Sequence, residues 1–76
     1  MKDLVEHLAK ALVDRPEEVV VNKVDGEQSI VLELKVAADD MGKVIGKQGR
    51  IAKAIRTLVK AAAVKEGKKV VVEIIQ

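Results

Sequence analysis

The chain has no phenylalanine, tyrosine or tryptophan among its 76 residues. It therefore cannot build the aromatic platforms on which many sheets and barrels stack nucleotide bases. Cysteine is also absent, which excludes a disulfide framework and a thiolate metal site. His7, Ser29 and Thr57 are the sole representatives of their kinds. His7 falls in an acidic, helix-like segment with no nucleophile to serve, so no catalytic residue and no enzyme activity are expected. The longest uninterrupted apolar run is Ala61-Ala62-Ala63-Val64, far short of the ~18 residues that cross a bilayer. Met1 is followed by a charged amphipathic segment without the apolar region of a signal peptide, and a cytoplasmic location is expected.

What remains is 49% hydrophobic, mostly Val, Ile, Leu and Ala. That suffices for one small domain, residues 1–76, with little core to spare. The overall charge of +2 hides a division. Across residues 1–41, ten acidic side chains face five basic ones, a balance of −5. Across residues 42–76, nine basic side chains face two acidic ones, a balance of +7. One basic face suited to a polyanion, set against an acidic remainder, is the expected consequence.

Periodicity orders the chain as helix, strand, strand, helix, loop, helix, strand. Asp3 and Glu6 have capping-box spacing ahead of a helical stripe at Leu4, Leu8 and Leu12, which Asp14-Arg15-Pro16 ends. Residues 18–24 read as a strand, Asp25-Gly26 as a hairpin turn, and residues 28–36 as an alternating strand. Asp39 is the expected N-cap of a short helix, a reading preferred to metal binding by Asp39 and Asp40. A long helix starts near Arg50, with Ile51, Ile55, Leu58, Val59 and Ala62 on its expected core side and Arg50, Lys53, Arg56 and Lys60 on a separate arc. Gly67 stops it, and residues 68–75 form the last strand. A hairpin plus a right-handed helical crossover predicts an α+β fold, a three-stranded mixed sheet with three helices on one face.

The segment Gly42-Lys43-Val44-Ile45-Gly46-Lys47-Gln48-Gly49-Arg50 carries the most information. Two glycines bracket an exposed pair, so a strip of backbone can approach something bulky and charged. A Walker A reading fails: the spacing is one residue short, and Gln48 stands where a magnesium-binding hydroxyl is needed. The string resembles the KH-domain pattern V/I-I-G-K-x-G-x, whose GxxG loop clamps about four backbone nucleotides of a single strand. The element order resembles the type II, prokaryotic form over essentially the whole chain. It is similar to the small single-domain KhpA family of bacterial RNA-binding proteins.

That resemblance implies single-stranded RNA binding without cofactor or metal. Gly46 and Gly49 would admit the backbone, Lys47 would meet a phosphate and Gln48 would donate or accept beside it. Lys43, Arg50, Lys53 and Arg56 would supply further charge. Val44 and Ile45 would lie at or under an aliphatic base-binding floor, with Leu34 and Val36 of the second strand near the groove edge or beneath it. It also implies an RNA-chaperone role in post-transcriptional control, linked to cell shape and cell wall biogenesis. A homodimer, or a heterodimer with a larger KhpB-like KH protein, would be the working assembly. Two other readings stay open: a KH-fold protein–protein interaction module, and a single-stranded DNA binder.

Overall fold

Alternation of apolar and polar side chains builds the sheet. In the computed structural model, which describes residues 1–75, the strands are β1 (Val20–Asp25), β2 (Ser29–Lys35) and β3 (Lys69–Ile75). β2 is central, antiparallel to β1 and parallel to β3. The Gly26 N–H donates to the Ser29 carbonyl at 2.7 Å and closes the hairpin. The crossover to β3 carries α2 (Met41–Ile45) and α3 (Arg50–Lys65), and α1 (Lys2–Leu12) precedes the sheet. The expected α+β architecture, with a three-stranded mixed sheet and three helices on one face, is the observed one.

The core lies between that face and the helices. Val21, Leu32, Leu34, Val70 and Val72 come from the strands, and Val5, Ala9, Val44, Ile55, Val59 and Ala63 from the helices. Each fully buried Val, Leu or Ile side chain among them stabilises the fold by roughly 1.5–3 kcal/mol.

Several local expectations are corrected. α1 begins at Lys2, so Asp3 sits inside its first turn, and no side chain caps the helix. Pro16 opens a 3-10 turn, Pro16–Glu18, which delays β1 until Val20. The buried side of α3 is Ala52, Ile55, Val59 and Ala63, whereas Leu58 is 53% exposed. At 100° per residue the helix is turned by about 60° from its expected setting. Small alanines against the sheet let α3 approach closely, and the larger Leu58 is left outside. Gly67, with φ +68°, ends α3 as expected.

Candidate nucleic-acid interface

The junction of α2 and α3 is set by three successive backbone choices. Gly46 has φ 78° and ψ 171°, a region that is essentially closed to residues with a Cβ. Lys47–Gly49 forms a single 3-10 turn, closed by the Gly49 N–H donating to the Gly46 carbonyl at 3.1 Å. Within it Gln48 (φ 58°, ψ 25°) and Gly49 (φ 73°, ψ 14°) are both left-handed. A non-glycine residue there is uncommon and costs energy that the surroundings must offset. The side chain of Ile51 fills the space under Gly46: an ideal Cβ on Gly46 would lie 2.5 Å from Ile51 Cγ1. That packing draws the start of α3 against the end of α2, and it leaves Lys47 and Gln48 exposed at the tip.

No side chain caps the N-terminus of α3. The Arg50 N–H donates to the Lys47 carbonyl within the turn, and the positive end of the α3 dipole faces the loop. Lys47, Arg50 and Lys53 are exposed beside it. Arg50 Nη2 donates to Gln48 Oε1 at 3.3 Å and steadies the left-handed residue. Val44 is fully buried below the loop, and Ile45 is half-buried against the core.

The remaining cations are differently engaged. The Lys43 ammonium donates to the Asp14 carboxylate and lies 3.7 Å from Asp40 Oδ1. Arg56 Nε donates to the Val72 carbonyl of β3 at 3.2 Å. β3 is an edge strand with α3 beside it, whereas β2 is paired on both sides. Leu34 and Val36 are buried in the core. The accessible backbone edge next to the cationic arc of α3 is that of β3.

Asp40 is the polar anchor of the region, a role that its sequence neighbours do not signal. It is 2% exposed. Its two carboxylate oxygens accept the Asp14 N–H at 3.2 Å and the Arg15 N–H at 3.0 Å. Asp39, the expected cap, is exposed, and neither the preceding turn nor α2 has a side-chain cap. Asp40 thus ties the end of α1 to α2, which leads directly into Gly46. Burial pushes the Asp40 carboxyl upward, but the two N–H donors and Lys43 outweigh it and hold the group below its ordinary range. A depressed folded value means stability that is present above the unfolded value, near pH 4, and lost as pH falls through the folded one. Asp40→Asn offers one oxygen to two donors and turns an amide toward the other. It is expected to melt below the parent at pH 7, with the gap narrowing below about pH 4. Circular dichroism melts across pH 3–7 check this. A gap independent of pH would remove Asp40 ionisation from the account.

A family model described as the KhpA/KhpB KH domain matches residues 2–74. The chain is 77% identical over 75 residues to RNA-binding protein KhpA of Clostridium perfringens, covering 99% of this chain and 100% of that protein. It is 51% identical over 76 residues to RNA-binding protein KhpA of Aquifex aeolicus, covering 100% of this chain and 96% of that one. A crystal structure of Aquifex aeolicus Era superposes with a TM-score of 0.65 at 21% identity, over 96% of this chain and 28% of that chain. This last likeness is one of fold.

Proposed function

This chain belongs to the KhpA/KhpB KH-domain family, and we propose that it is a non-catalytic, single-stranded RNA-binding protein acting through its Gly46–Gly49 loop. One observation carries the loop assignment. The Gly46–Gly49 turn presents its two exposed side chains, Lys47 and Gln48, at the uncapped start of α3, with Arg50 and Lys53 exposed beside it. The positive end of the helix dipole and the cations converge on one strip, which favours a phosphate. The relatives carry the name RNA-binding protein.

Gly46 and Gly49 admit the sugar-phosphate backbone. Lys47, Arg50 and Lys53 neutralise phosphates, and Gln48 donates or accepts alongside. Lys43 serves mainly by fixing α2 through Asp14 and Asp40. Arg56 lies farther along, at the β3 edge. Val44 and Ile45 support the loop from below, with Ile45 partly available to a base. Without aromatic stacking, a footprint of about four nucleotides gives few contacts and modest affinity. A second linked site raises the effective concentration of the next contact. A homodimer or a KhpB-like partner in the cytoplasm would supply it, in a chaperone role tied to cell shape and cell wall biogenesis.

Titration of the labelled chain with a short single-stranded RNA, and with DNA of the same sequence, tests the reading. Amide shifts are expected at residues 42–53 and along β3. Neutralising about three phosphates gives a slope of log K against log salt of roughly −2. Shifts confined to α1, or affinity indifferent to salt, would overturn the assignment. Equal affinity for DNA would broaden the ligand to any single strand.

A further inference from the structure

The cationic arc of α3 continues well past the loop. Lys53, Arg56 and Lys60 follow one another at spacings of three and four residues, which sets them in a row along one side of the helix. From Arg50 to Lys60 is about 15 Å of helix. Beyond the turn at Gly67 the chain adds Lys68 and Lys69 as it enters β3. Lys60, Lys68 and Lys69 are exposed, and none has an ionic partner among the described residues.

These three lysines line a groove of about 460 Å³ between the last turns of α3 and the start of β3. The rest of its lining is aliphatic. Ala63 and Val70 belong to the core, and Val64 and Val71 are exposed. Val64 is 70% exposed, more than any other large apolar side chain among the described residues. No carboxylate lines the groove among those residues. Glu66 lines a separate hollow beside Met1, Lys2 and Asp3, and Glu73 stands opposite Glu33 farther along β3.

Two other accounts of the lysines fit less well. The C-terminal end of a helix attracts cations on its own account, but Lys65 of the last turn meets that need and stays out of the groove. A peptide strand added to the β3 edge would need its outward carbonyls, and Arg56 Nε already donates to that of Val72. A polyanion needs none of them.

We propose that this groove is a second nucleotide subsite, in which a single RNA strand held at the Gly46–Gly49 loop continues past Arg56 to the far end of α3. Lys60, Lys68 and Lys69 meet its phosphates, and a base lies against Val64 and Val71 where other folds would offer an aromatic ring. The volume falls in the range that holds a small organic ligand. The continuation rests on the loop reading above. It lengthens the footprint beyond the roughly four nucleotides of a GxxG loop, so one domain gains affinity before any partner joins it.

Fluorescence anisotropy with a tetrameric and an octameric oligouridine reads the two segments apart. Changing Lys60, Lys68 and Lys69 together to Gln should weaken octamer binding at least fivefold. Tetramer binding should stay within about twofold, because Lys60 is farther along α3 from Arg50 than the ~8 Å over which exposed charges act in physiological salt. All three positions are exposed, so the variant should melt with the parent. The slope of log K against log salt should be steeper for the octamer by roughly 1.4, two further phosphates at about 0.7 each, and the variant should lose that increment. In the labelled chain the octamer, and not the tetramer, should shift the amides of Lys60, Val64 and Lys68. Val64→Ser should weaken the octamer with the slope unchanged, which separates the aliphatic contact from charge. Parental octamer affinity in the lysine variant would overturn the groove and leave the loop reading standing. Parental binding of both strands by a variant carrying Lys47→Asp and Gln48→Asp would overturn the loop reading, and the continuation with it. An octaglutamate peptide that shifted the same amides more strongly than the octamer would overturn the RNA assignment in favour of an acidic protein segment.

Discussion

Changing Lys47 and Gln48 together to aspartate is expected to weaken RNA binding at least tenfold while leaving the fold in place. Both side chains are exposed at the tip of the loop, and exposed substitutions usually move stability by less than about 0.5 kcal/mol. Position 48 is left-handed, a conformation that aspartate tolerates better than most residues. The change removes the bond from Arg50 to Gln48 Oε1 and draws the Arg50 guanidinium toward a new carboxylate. It therefore acts twice: it places negative charge where a phosphate would pass, and it diverts a neighbouring cation. Like charges brought together at a close interface cost several kcal/mol. A tenfold loss, about 1.4 kcal/mol, is the lower bound. Fluorescence anisotropy with a labelled single strand reads the affinity, and circular dichroism melting reads the fold. Folded protein with parental affinity would take the loop out of the mechanism. Folded protein that kept RNA but lost its assembly state would favour the interaction-module reading instead.

The parts of this molecule governed by local chemistry were legible in the sequence. The alternation Ile30, Leu32, Leu34 fixed which side of β2 is buried, and Gly67 marked the end of α3. The glycine spacing located the α2–α3 turn. What escaped was tertiary. Asp40 lies 26 residues from Asp14, and nothing near either one signals that their meeting holds α2. Lys43 looks from its neighbours like a free cation beside the loop, yet its ammonium is occupied by the same two carboxylates. Large apolar residues dominate a helical projection of α3, whereas close packing against the sheet selects Ala52 and Ala63. The edge position of β3 follows from the hairpin and the parallel crossover, which together place β2 at the centre.

Gly46→Ala is expected to be the most destabilising single substitution in the loop, although it adds one methyl group. Gly46 occupies backbone space essentially reserved for glycine, and holding another residue there costs about 1–3 kcal/mol. The methyl would also meet Ile51, with Cγ1 at 2.5 Å, Cβ at 2.8 Å and Cδ1 at 2.9 Å. Overpacking of this kind adds about 1–3 kcal/mol. Together they approach 3 kcal/mol or more, and each 1 kcal/mol lowers the midpoint of so small a domain by roughly 4–8 °C. A fall of about 12–24 °C follows. Gly49→Ala provides the contrast. Its φ is 73°, but no atom lies within 4 Å of the added carbon, so only the left-handed penalty of about 1–2 kcal/mol applies. Gly42→Ala, inside α2 with open space around it, should be neutral or stabilising by up to about 1 kcal/mol. Ile51→Ala should not rescue Gly46→Ala, because it removes Cγ1 and Cδ1 but leaves Cβ and the backbone conformation unchanged. Thermal melts of the three alanine variants and the double variant give the order directly. Equal midpoints for Gly46→Ala and Gly49→Ala would mean that Ile51 yields without cost, and that the contact under Gly46 does not hold α2 and α3 together.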